Sequence, residues 1–103
     1  MKYVLLYDAA DDILASAPDY FPAHSARVDE FAADGALLMA GPFADPAENG
    51  SMAIFTSREA AEAFAYEDPF VLNGVVRDWR ILEWYEDSDS GADVGERAPA
   101  RAI

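Results

Sequence analysis

The apolar positions of this chain change their period several times, and each change marks an element. Tyr3-Val4-Leu5-Leu6-Tyr7 is a short apolar and aromatic run closed by Asp8, Asp11 and Asp12, which predicts a first strand. From about Asp19, read as an N-cap, apolar residues recur at Phe21, Val28, Phe31 and Ala32 before Gly35, the pattern of a helix with a glycine stop. His24 falls on the same stripe, because 21, 24, 28 and 31 step by three or four. Positions 36–40 predict a second strand that ends at Gly41-Pro42 or lies at a sheet edge, since proline cannot donate to a ladder. Turn residues fill positions 45–50, and positions 51–55 follow as a third strand, giving a hairpin with a long loop. Thr56-Ser57-Arg58-Glu59 reads as a capping box opening a second helix, with Ala60, Ala63, Phe64 and Glu67 on its face. That helix should end near Asp68, because Pro69 disfavours helical geometry at the residue before it. Positions 70–73 predict one further turn before Gly74, and positions 75–85 the last and longest strand.

The order β-α-β-β-α-β is that of a ferredoxin-like α+β sandwich, with both helices on one face of an antiparallel sheet. A sheet with one face in water should alternate apolar and polar residues, yet Tyr3-Val4-Leu5-Leu6, Leu37-Leu38-Met39 and Met52-Ala53-Ile54-Phe55 are apolar at consecutive positions. Both faces therefore require burial, and the simplest cover is a second copy packed sheet to sheet. The expected assembly is a homodimer closed into an α+β barrel, with a small-molecule site in a cavity between layers. The domain spans positions 1–85. Positions 86–103, acidic at first and then rich in alanine, carry few large apolar residues and are expected to form a flexible tail.

Composition narrows the function. A chain of 103 residues accommodates one core, and with 52% hydrophobic residues it is too apolar to stay disordered. Twenty acidic against seven basic residues give a formal net charge of -13, a field that repels nucleic-acid backbones and anionic lipid surfaces, so neither is an expected partner. Without cysteine there is no thiolate nucleophile or disulfide, and one histidine among scattered acids is too few ligands for a zinc or iron site. No metal or cofactor is expected. The apolar run at the start is too short for a signal sequence and no stretch approaches a membrane span, so the expected location is cytoplasmic.

The remaining chemistry is concentrated in His24 and Asp68. A side chain that titrates near neutrality, oriented by a carboxylate, is the smallest unit that moves a proton in catalysis. The alternative is a hydrogen bond that pins the first helix and does no chemistry. No serine sits in a nucleophile-elbow sequence. Gly41 and Pro42 either end a strand or shape a pocket floor, and Tyr7, Phe43, Phe70 and Trp79 line a cavity or fill a core. Two functions fit: a small cofactor-free enzyme with His24 as base, or a non-catalytic dimeric module that binds a small apolar metabolite.

Pro22-Ala23-His24, Ala40-Gly41-Pro42, the helix Arg58-Glu59-Ala60-Ala61-Glu62-Ala63-Phe64, Asp68-Pro69-Phe70 with Gly74 after it, and Ile81-Leu82-Glu83-Trp84 together resemble the YciI-like (YCII-related) family over the first 85 positions or so. The resemblance implies a ferredoxin-like fold dimerising into an α+β barrel, and a histidine and an aspartate as the active site, here His24 and Asp68. It implies general acid-base chemistry, an elimination of dehydrochlorinase type or an isomerisation of a small cyclic or phenolic metabolite. Phe21, Gly41, Pro42 and Phe70 would then contact the substrate. Many relatives carry an arginine where this chain has Phe21, so either the pocket is more apolar here or Arg77 or Arg80 supplies the charge.

Overall fold

The computed structural model describes residues 1–87. Eight elements follow in the order β1 (Lys2–Ala9), α1 (Ile13–Ala33), β2 (Leu37–Pro42), α2 (Pro46–Asn49), β3 (Ser51–Phe55), α3 (Arg58–Glu67), α4 (Pro69–Leu72) and β4 (Val76–Trp84). The strands pair antiparallel in the order β2-β3-β1-β4, which is the ferredoxin-like arrangement, with α2 and α4 as single-turn additions. Leu5 stands between Ala53 and Ile81, and Tyr7 between Ser51 and Trp79, so alternate positions of β1 share one face with their partners. On that face Leu5, Tyr7, Phe55, Phe64 and Val76 form the core, against which Val28 and Phe31 of α1 pack.

The opposite face is built from Val4 and Leu6 beside Ile54, Met52 and Leu82. None of the described helices covers it, and Met39, Leu82 and Trp84 are exposed at 67%, 46% and 44%. These values place large apolar side chains in water across the sheet, well beyond the scattered exposure usual for a surface. Pro42 ends β2 at the sheet edge, where its missing N–H costs no ladder bond.

Four local expectations are corrected. The first helix starts at Ile13 and runs through Pro18 and Pro22; Asp12 occupies the N-cap position without a side-chain bond, and Asp19 lies inside the helix. Each proline withdraws the donor that would reach the carbonyl four residues earlier, a loss tolerated here because Leu14, Pro18 and Pro22 are exposed along the open space between α1 and the sheet, where water reaches the backbone. Ala32 is exposed and takes no part in the buried stripe. The second helix is capped by Ser57, whose Oγ accepts from Ala60 N at 3.1 Å, while Thr56 ties β3 to the start of β2 through Ala36 O, its amide donating at 2.9 Å. Its buried residues are Ala61, Phe64 and Ala65, and Ala63 and Glu67 are exposed: alanines carry too little apolar signal to fix the phase of a helix, and only Phe64 does. Gly35 does stop α1, at φ +79 just beyond its C-cap. Of the expected tail, Glu86 bonds Lys2 Nζ at 2.8 Å, and positions 88–103 lie outside the described residues.

Candidate functional site

Asp68 stands at the junction of two helices because Glu67-Asp68-Pro69 demands it. Its extended backbone (φ -66, ψ 126) is what a following proline prefers, and it closes α3 while serving as N-cap of α4, with Pro69 at the first helical position. The side chain is wholly buried. A buried carboxylate needs donors, and Asp68 has three: Phe70 N to Oδ1 at 3.1 Å, the Tyr7 hydroxyl to Oδ2 at 2.7 Å, and His24 Nδ1 at 2.9 and 3.0 Å from the two oxygens. An acceptor with both oxygens facing Nδ1 favours the tautomer that carries its proton there. Nε2 of the neutral ring is then an acceptor.

His24 is held by rings as well. It stacks on Phe70 with centroids 4.0 Å apart and planes 9° from parallel, and Phe64 meets it edge-on at 6.0 Å. Stacking and the Asp68 bonds together fix both ring plane and tautomer, so the imidazole does not have to reorganise when a proton moves.

His24 lines a cavity of about 630 Å³ between α1 and the sheet, within the range of small-molecule sites. The void has a cause in the sequence: the sheet floor carries Ala9, Ala40, Gly41, Ser51 and Ala53, and α1 adds Ala17, all small where a filled core would place large residues. Gly50 completes the floor at φ +75, where a Cβ would collide with the carbonyl oxygen of Tyr7. Of the residues singled out from sequence, Phe21, Gly41, Pro42 and Phe70 line this cavity along with His24. Phe43 lies elsewhere, in a shallow hollow with Ala44 and Asn49, and Trp79 packs edge-on against Tyr66. Arg77 and Arg80 do not line the cavity: Arg77 stands 3.5 Å from Asp11 at the surface, and Arg80 pairs with Leu6 on the uncovered sheet face. Among the described residues no group of three or more His, Cys, Asp or Glu side chains is gathered to hold a metal ion, and no helix is long and apolar enough to cross a membrane.

Two participants were not legible from spacing. Tyr7 was a candidate only as a wall aromatic, yet it bonds Asp68 across 61 positions; the available signal was its parity with Leu5 and Ala9 on β1. Arg27, one turn after His24, donates from Nη2 to the carbonyls of Ala63 and Phe64 at 3.2 and 3.1 Å, and its guanidinium lies over the Phe31 and Phe64 rings. It joins α1 to the last turn of α3, a favourable place for a cation.

Burial, then the charge of Asp68 and the hydrogen bond to it, raise the Tyr7 pKa above the ordinary 10.0, with Arg27 pulling weakly the other way. Below pH 10 both folded and unfolded chains keep this proton and the folded state has its full advantage. Above it the unfolded chain releases the proton and the native one retains it, so Tyr7 should make stability fall by about 1.4 kcal/mol per pH unit. Denaturant melts of wild type and Tyr7→Phe from pH 9 upward should show the wild type losing stability more steeply.

Comparison with known proteins finds relatives of the chain. A family model described as YCII-related domain matches residues 1–85. Protein YciI of Escherichia coli O6:H1 is 38% identical over 85 residues, covering 73% of this chain and 87% of that protein, and Protein YciI of Shigella flexneri matches equally. Among solved structures, 5-chloro-2-hydroxyhydroquinone dehydrochlorinase (TftG) from Burkholderia phenoliruptrix, in complex with 2,5-dihydroxybenzoquinone, superposes with a TM-score of 0.67 at 20% identity, covering 84% of this chain and 95% of that one. At that identity the likeness is one of fold.

Proposed function

The chain belongs to the YCII-related domain family, and on that premise we propose that it is a small cytoplasmic enzyme that moves a proton on a hydroxylated cyclic metabolite, with His24 as the general base and acid and Asp68 as the residue that orients it. The observation that supports this most is the position of His24: Nδ1 committed to a buried carboxylate, the ring stacked on Phe70, and a cavity in front of it. Nε2 accepts a proton from a ring hydroxyl, and Asp68 stabilises the imidazolium so formed. In an elimination that proton is returned to the ring carbon bearing the leaving group, giving a keto tautomer; Nε2 then takes the proton of a second hydroxyl, whose O–H pair becomes a carbonyl as the ring electrons shift and a leaving group such as chloride departs from the now tetrahedral carbon with its bonding pair. In an isomerisation the same proton returns to a ring carbon. The isomerisation needs one such transfer and the elimination two, the second proton leaving His24 for solvent as the halide is released. The fold neighbour named for dehydrochlorination of a hydroxyhydroquinone motivates the choice of substrate.

The test is halide release from 5-chloro-2-hydroxyhydroquinone and related chlorinated hydroquinones. Wild type should release chloride, and His24→Asn should lower the rate at least about a hundredfold. Tight binding of the same compounds without turnover would identify the chain as a binding module instead.

We also propose that the enzyme works as a homodimer joined through the uncovered sheet face, since Met39, Leu82 and Trp84 there are large, apolar and exposed. Sedimentation velocity at micromolar concentration should give a dimer, and Met39→Lys with Leu82→Lys should give a folded monomer. A monomeric wild type would remove the proposal.

A further inference from the structure

The cavity contains one kind of charge chemistry. Among the described residues no lysine or arginine lines it. The cation of the adjoining core, Arg27, does not line it: Nη2 donates to two backbone carbonyls, the guanidinium lies over two aromatic rings, and Nε is buried without a partner. Asp68, wholly buried, stands directly behind His24. At the cavity's outer wall α1 presents Leu14 and Phe21, two turns apart and 79% and 56% exposed, in a chain whose formal net charge is -13.

A permanently anionic ligand would therefore leave water without gaining a fixed cation, and would bring a second negative charge towards Asp68. Only a protonated His24 would balance it, and an imidazolium accepts no further proton. Holding a carboxylate and acting as a base are mutually exclusive states of this site. An uncharged hydroxylated ring meets neither obstacle. Its negative charge arises only as the proton passes to Nε2, when the new imidazolium lies between that charge and Asp68.

Building on the acid-base reading of His24, we infer that the cavity takes its substrate as an uncharged hydroxylated ring and turns away carboxylated rings, and that Leu14 and Phe21 set this choice at its entrance. The direction of discrimination follows from charge, because the apolar walls receive either kind of ring equally well.

Calorimetric titration at about pH 7 with 4-cyanophenol, 4-cyanoanisole and 4-cyanobenzoate, each in two buffers of different ionisation enthalpy, tests it. The phenol and the anisole should bind without exchanging a proton with the buffer. The benzoate should bind at least about tenfold more weakly, with a proton taken up. Phe21→Lys should strengthen benzoate binding about tenfold and remove the proton uptake. Benzoate binding to wild type as tightly as the phenol with no proton uptake would overturn the inference, as would failure of both uncharged rings to bind. Halide release is scored separately: a preference for uncharged rings without turnover sinks the acid-base reading alone, and turnover with tight benzoate binding sinks this inference alone.

Discussion

Asp68→Ala is expected to cost about 3–5 kcal/mol of unfolding free energy, read from urea melts. The side chain is wholly buried and accepts from three donors that have no other acceptor within the same geometry. Alanine strands the Tyr7 hydroxyl in the core, leaves Phe70 N without its cap at the start of α4, and frees His24 to turn. Asp68→Asn separates that structural cost from the chemical one. An amide has one oxygen, and it must stay at the Oδ1 position because Phe70 N can only donate. The NH2 group then takes the Oδ2 position, where the Tyr7 hydroxyl must reverse from donor to acceptor. His24 keeps one bond to Oδ1 and so keeps its orientation, but the negative charge that would stabilise its imidazolium is gone. This variant should fold with a loss of about 1–2 kcal/mol and release halide at least about a hundredfold more slowly. Near-normal turnover in Asp68→Asn would show that the carboxylate serves the fold alone.

The elements legible in the sequence are those whose signals do not depend on the rest of the fold. The β3 strand, the stop at Gly35, the break at Asp68-Pro69 and the extra turn before Gly74 are each set by residues a few positions apart. Pairing of His24 with Asp68 spans 44 positions, and it was anticipated from residue chemistry and family resemblance without any local rule that brings the two together. What was illegible depends on tertiary context. The early start of α1 is one case: two prolines argue locally against a helix there, and the solvent exposure that makes them tolerable is known only once the sheet is in place. Tyr7 is another, because a tyrosine at an inward strand position reads as core until the neighbour of its hydroxyl is known.

The site therefore rests on one strand, one helix stripe and one helix junction. Tyr7 reaches Asp68 from β1, His24 reaches it from α1, and Arg27 clasps α1 to α3 one turn further on. Each contact also holds the sandwich together, so the arrangement that orients His24 is preorganised by folding. The cavity in front is a part of the layer interface that the described side chains leave unfilled.

That vacancy makes the second large effect. Ala53→Leu should raise the unfolding free energy by about 1 kcal/mol while weakening 4-cyanophenol binding more than about tenfold. Ala53 is 7% exposed, lies on the central strand β3 opposite Leu5 and Ala40, and forms part of the cavity floor. Added methylenes there enter empty space, where they gain contacts and transfer energy without displacing neighbours. Ala65→Leu is the control: Ala65 is fully buried on α3 and does not line the cavity, so the same enlargement meets packed atoms and should destabilise by about 1–3 kcal/mol. Opposite signs at two buried alanines would show that the sheet floor gives up stability to keep room for a ligand. If Ala53→Leu proved as destabilising as Ala65→Leu, the space before His24 would be closed in solution, and the histidine would have no substrate to meet.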